Sequence, residues 1–98
     1  MNTALYTARL AAEAAFAAAD AAGQYAPDLL DALEAAERAY DAAVLKARAE
    51  WDALPDCAAK DDAETNAYET VVEQGAAEGD RLYWLQMAIG SYEVLTNA

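Results

Sequence analysis

Apolar and polar positions alternate with a helical period along most of the chain, and three segments carry the pattern. Across 28–54, Leu30, Leu33, Glu37, Tyr40, Val44, Ala47, Trp51 and Leu54 recur at alternating steps of three and four. This heptad-like stripe, interrupted once by Glu37, predicts an amphipathic helix. Glu37 belongs at the stripe's edge, because an unpaired buried carboxylate is costly. Pro27 suits a first helical turn and Pro55 ends the pattern. Residues 3–22 predict an earlier helix, with Thr3 as its cap and Gly23 as its C-terminal stop. There Ala8, Ala11, Ala12, Ala15, Ala18, Ala19 and Ala22 share one broad face, with Leu5 and Phe16 along its edge. Glu13, Asp20 and Gln24 lie opposite, with Tyr6 and Leu10. The alanine face is expected against another helix at short distance. Tyr25-Ala26-Pro27-Asp28 reads as a turn.

The third pattern runs from about 61 to 95. Tyr68, Val71 or Val72, Gly75, Glu78 or Gly79, Leu82, Leu85, Ile89 and Tyr92 keep a common phase. Two readings fit. One is a single long helix, which the preserved phase favours, with Gly75 and Gly79 on its packed face. The other is two helices parted at 75–80, with Asp80 capping the second. Within this pattern, 82–89 is apolar on every side except at Gln86, so it needs cover all round. Tyr40, Trp51, Leu82, Tyr83, Trp84, Leu85, Met87 and Ile89 are the expected core or oligomer interface. The expected fold is all-α: a small bundle of three helices, or four if the last one breaks. It forms one domain over 1–98 with heptad-like packing. A homodimer of hairpins would complete the same core.

Composition adjusts this picture. Hydrophobic residues make up 57% of the chain, but much of that is alanine, so the core is smaller than the fraction implies. Cys57 is the single cysteine, which excludes an internal disulfide and agrees with a reducing, cytoplasmic setting. No signal peptide and no stretch of about 20 apolar residues is read, so no membrane partner is expected.

Charge changes the functional picture most. Eighteen acids against six bases give a net charge of −12, which disfavours direct contact with nucleic acid or an anionic membrane. Residues 56–80 hold eight of those acids and one base. Asp61, Asp62, Glu64, Glu69, Glu73, Glu78 and Asp80, with Tyr68 among them, are the candidate contact residues for a basic partner protein. A row of carboxylates at helical spacing can imitate a phosphate backbone, because Lys and Arg donors accept either anion. The bland alternative is that these residues only solvate one face. An exposed Trp84 would instead move the binding site to the aromatic cluster.

Small size, acidic charge, helical composition and a solitary cysteine resemble the phage-encoded anti-restriction and anti-CRISPR proteins, several of which act as DNA mimics. The resemblance covers overall character and carries no motif. It implies a non-enzymatic inhibitor that occupies the nucleic-acid-binding surface of a defence complex in the host cytoplasm.

The residues argue against an enzyme. There is no histidine for general-base work or zinc ligation. Ser91 is the only serine and has no basic group near it in sequence. Gly75-Ala76-Ala77-Glu78-Gly79 lacks the lysine of a phosphate loop. Cys57 has neither an activating histidine nor a resolving cysteine. No cofactor or metal is expected. The alternative function is a structural, assembly or chaperone-like helical homodimer.

Overall fold

A computed structural model describes residues 3–74 and 79–97. It contains four helices: α1 (Ala4–Ala21), α2 (Pro27–Asp52), α3 (Ala58–Glu73) and α4 (Arg81–Thr96). Among the described residues there is no strand, so the chain is an all-α bundle. Two compact units divide within α2, one up to Ala43 and one from Val44 onward.

In the first unit, α1 ends in a Schellman turn. Gly23 takes a φ of 70°, a left-handed conformation open to glycine. The Gly23 amide donates to the Asp20 carbonyl at 3.0 Å and the Gln24 amide to the Ala19 carbonyl at 2.9 Å. Two sequence expectations for α1 are corrected. Thr3 precedes the helix but makes no side-chain cap; only its carbonyl takes part, accepting from the Thr7 amide at 2.9 Å. The broad alanine face is not the packed face: Ala8, Ala11, Ala15, Ala18 and Ala22 are exposed. The inward side carries Leu5, Tyr6, Arg9, Glu13 and Phe16, all half-buried, with Ala19 buried beyond them. Large side chains win because each removes more apolar area from water than an alanine does. Tyr6 meets the buried Tyr40 of α2 with ring centroids 5.7 Å apart. Arg9 lies 5.2 Å over the Tyr40 ring, and its Nε donates to Glu13 at 3.1 Å. That hydrogen bond raises the Arg9 pKa above its ordinary value, outweighing desolvation, with help from the charges of Glu13, Asp41 and Glu37.

In the second unit, α2 stops at Asp52, two residues before its expected end. Leu54 closes a turn by donating its amide to the Trp51 carbonyl at 3.1 Å. Lys60 anchors this corner: its ammonium donates to the Leu54 carbonyl at 3.0 Å and lies 5.2 Å over the buried Trp51 ring. A cation bonded to a carbonyl just past the end of a helix is well placed electrostatically. Cys57 stands extended before α3 and is an exposed free thiol without a capping bond.

Of the two readings of 61–95, the continuous helix is corrected and the one with two helices and an Asp80 cap agrees with the elements formed. The chain forms α3 and α4, and the two pack on each other as a hairpin. The reason is Asp80, whose Oδ1 accepts the Tyr83 amide at 3.1 Å and so starts a new helix. The Tyr83 hydroxyl reaches back to donate to the Gln74 side chain at the end of α3. Gly75 lies outside the described residues; Gly79 precedes α4 and is exposed, so it is not on a packed helix face as expected. The unit's interior is Ala47 and Trp51 from α2, Ala63 and Ala67 from α3, and Leu82, Leu85 and Ala88 from α4. Trp51 meets Trp84 edge to face, with centroids 6.3 Å apart and an interplanar angle of 66°.

Candidate functional site

Helix α3 turns its small side inward. Ala63 and Ala67 are fully buried, at 0% and 1% exposure, while Tyr68 and Val72 stand 66% and 62% exposed. At about 100° per residue, Asp61, Thr65, Tyr68 and Val72 make one longitudinal stripe roughly 140° from the buried alanines. Asp62, Asn66, Glu69 and Glu73 make a parallel stripe on one margin, and all four are exposed. Glu64, also exposed, lies on the other margin, beside Trp84. The outer face of α3 therefore has an apolar centre, Tyr68 and Val72, with an acidic row on one margin and, on the other, Glu64 beside Tyr68 and Arg81 in the cleft that Tyr68 and Val72 line.

One of the expected contact residues behaves differently. Asp80 is buried and spends its carboxylate capping α4, so it is no part of an outward acidic row. An acid two positions before an apolar run is a helix start as readily as a surface charge, and here burial decides. Glu78 lies outside the described residues. Asp61, Asp62, Glu64, Tyr68, Glu69 and Glu73 are all exposed on α3. Asp61 sits in the first turn, where the helix dipole also favours a carboxylate.

The expected interface residues separate by depth. Tyr40, Trp51, Leu82 and Leu85 are buried; Tyr83, Trp84, Met87 and Ile89 are half-buried. Trp84 matters most at the surface, because it forms a ridge between two grooves. On the α3 side, a cleft of about 410 Å³ is lined by Tyr68, Val71, Val72, Asp80, Arg81 and Trp84. A second, about 350 Å³, adjoins it between Glu64, Thr65, Tyr68 and Trp84. On the α2 side, a groove of about 410 Å³ is lined by Val44, Leu45, Arg48, Arg81, Trp84 and Leu85. Leu45 is 71% exposed at that groove. Volumes of this order suit a few inserted side chains.

No family model, curated protein or solved structure matches this chain. Chemistry at the surface must carry the functional argument alone. Among the described residues, no cluster of three His, Cys, Asp or Glu is arranged to hold a metal ion. None of the described helices is long and apolar enough to cross a membrane. What the arrangement offers is contact: apolar side chains held outward on a helix, with carboxylates on both sides. Periodicity puts Tyr68 and Val71 or Val72 in the packed phase, while the charge pattern names Tyr68 a contact residue; the exposed Val72 is not foreseen, and its neighbours Asp61 and Thr65 are the available signal. The grooves beside Trp84 were foreshadowed only by the all-round apolar character of 82–89.

Proposed function

We propose that this protein is a non-enzymatic binding protein whose α3 outer face occupies a basic surface of a partner protein. One observation carries the reading: Tyr68 and Val72 are exposed one turn apart between the carboxylates of Asp62, Glu69 and Glu73 and that of Glu64. Protein interfaces gain most of their affinity from a few desolvated anchors, with a polar rim that sets orientation. Here the anchors are apolar and the rim is negative, so the complementary partner is positive around an apolar pocket. The chain's net charge of −12 adds long-range attraction to such a surface.

The partner class follows from the charge spacing. Five carboxylates on α3, spread along the ~24 Å of a 16-residue helix, give about one charge per 5 Å. A single nucleic-acid strand carries about one per 3.4 Å and a duplex about one per 1.7 Å. The α3 carboxylates, spread over three strips of the helix surface, are therefore too sparse to stand in for a duplex and come nearer to one backbone strand. A protein groove that grips one strand with Lys and Arg is the surface they best fit, and filling that groove would inhibit the partner. This agrees with the phage inhibitors that the sequence resembles in character.

The test is retention of proteins from a host lysate on the immobilised chain. A basic protein should be retained and released between about 50 and 200 mM salt, the range over which phosphate-type contacts weaken. Two variants should each abolish retention: Asp62→Asn, Glu69→Gln and Glu73→Gln combined, and Tyr68→Ser with Val72→Ser. Retention that survives both variants, or a retained protein that is acidic, would overturn the proposal.

A further inference from the structure

The groove on the α2 side of Trp84 is lined by basic and apolar side chains with no acid among them, although Arg81 also borders the α3-side cleft. Of six basic residues in the chain, Arg48 and Arg81 both line this one groove. Arg9 and Lys60 are paired with Glu13 and Asp56, but among the described residues neither Arg48 nor Arg81 has an ion-pair partner. Arg81 is the first residue of α4, where the positive end of the helix dipole disfavours a cation. Local rules broken without compensation mark positions selected for something other than folding. Val44, Leu45, Trp84 and Leu85 supply the apolar part of the groove. The groove thus asks for an apolar-centred helix face with acidic margins.

The same chain presents such a face on the other side of the same tryptophan. Glu64, Thr65 and Tyr68 border Trp84 from α3, and Arg48, Val44 and Leu45 border it from α2. A surface with a positive groove on one side of a ridge and a negative, apolar shoulder on the other is self-complementary under a two-fold axis. We infer that a second copy of this chain docks here, with the two Trp84 ridges side by side. The Arg48 groove of each protomer then receives the Glu64–Tyr68 shoulder of the other. The contact buries Leu45 and Tyr68, two of the most exposed large apolar side chains, and gives Arg48 a carboxylate partner in Glu64. The inference does not rest on the partner reading. It adds a consequence, because a dimer covers Tyr68 and so competes with any partner that uses it.

Reciprocal charge reversal tests the inference on the isolated protein, with solution mass measured by sedimentation across micromolar concentrations. The native chain should be dimeric. Arg48→Glu alone and Glu64→Arg alone should each weaken the dimer at least about tenfold, because every dimer contains the new like-charge contact twice. Combining both changes in one chain should restore most of the affinity. Arg38→Glu, the same charge change on an exposed residue of the other unit, should leave the dimer within about twofold. Helical circular dichroism should be native in all four variants. A chain that stays monomeric throughout, a dimer indifferent to both single changes, or a double variant no tighter than either single one would each overturn the inference. Because the dimer covers Tyr68, lysate retention is read on the Arg48→Glu variant, which frees the α3 face, so that failure of the partner reading and failure of the dimer are told apart.

Discussion

Alanine meets opposite fates in α1 and α3. In α1 the alanines at 8, 11, 15 and 18 face solvent while Tyr6 and Phe16 turn inward. In α3 Ala63 and Ala67 are fully buried while Tyr68 and Val72 face outward. Helix α1 follows the area rule, by which burying a large apolar side chain is worth about 1.5–3 kcal/mol. Helix α3 inverts it. Turning Tyr68 and Val72 inward would carry Asp61 with them, since all three share one stripe, and a buried unpaired carboxylate costs more than two apolar contacts return. The facing helix also matters. Leu82, Leu85 and Trp84 make α4 bulky, so a close-packed neighbour must present small side chains. Folding requirements thus leave two apolar side chains outside, and what they do there is the functional question.

Several substitutions would break or sharpen this contrast. Trp51→Ala should cost about 3–5 kcal/mol in urea unfolding, because the buried ring holds both Trp84 and Lys60. Ala63→Leu should cost about 1–3 kcal/mol by overfilling a site with no free space, whereas Ala15→Leu on α1 should change stability by less than about 0.5 kcal/mol. Equal costs at the two alanines would dissolve the contrast. Asp80→Ala should cost about 1 kcal/mol through loss of the α4 cap, and Asp80→Asn much less. A charge-only role would instead make the two substitutions equivalent. Smallest of all, Val72→Ser should change the unfolding free energy by less than about 0.5 kcal/mol, since this side chain is exposed and lies outside the two-fold contact.

The pattern in α2 was readable because its stripe joins large residues, Tyr40, Val44 and Trp51, that have only one favourable side. The Gly23 stop was equally readable, since a left-handed residue after a helix calls for glycine. Periodicity failed where residue size and period disagree. In α1 it followed the numerous alanines, although Leu5, Tyr6 and Phe16 set the buried side. Between 61 and 95 the shared phase favoured continuity, whereas the capping signal of Asp80, which offered a second helix, is what the chain obeys. A phase can persist across a break, because a hairpin also turns both helices toward one interior. The acidic character of α3 was plain in the sequence. Its exposed apolar centre depended on which side α4 claimed, and that is a tertiary fact.

The central claim is that α3 presents Tyr68 and Val72, rimmed by carboxylates, to a basic partner. It is tested most directly by placing a photo-crosslinking side chain at position 72 and, in a separate sample, at position 11 on the exposed face of α1. After illumination in a host lysate, the account predicts an adduct with a basic protein from position 72 and none from position 11. That adduct should disappear when Asp62, Glu69 and Glu73 are neutralised. Equal adducts from both positions, or an adduct at 72 that ignores the loss of the three charges, would contradict it.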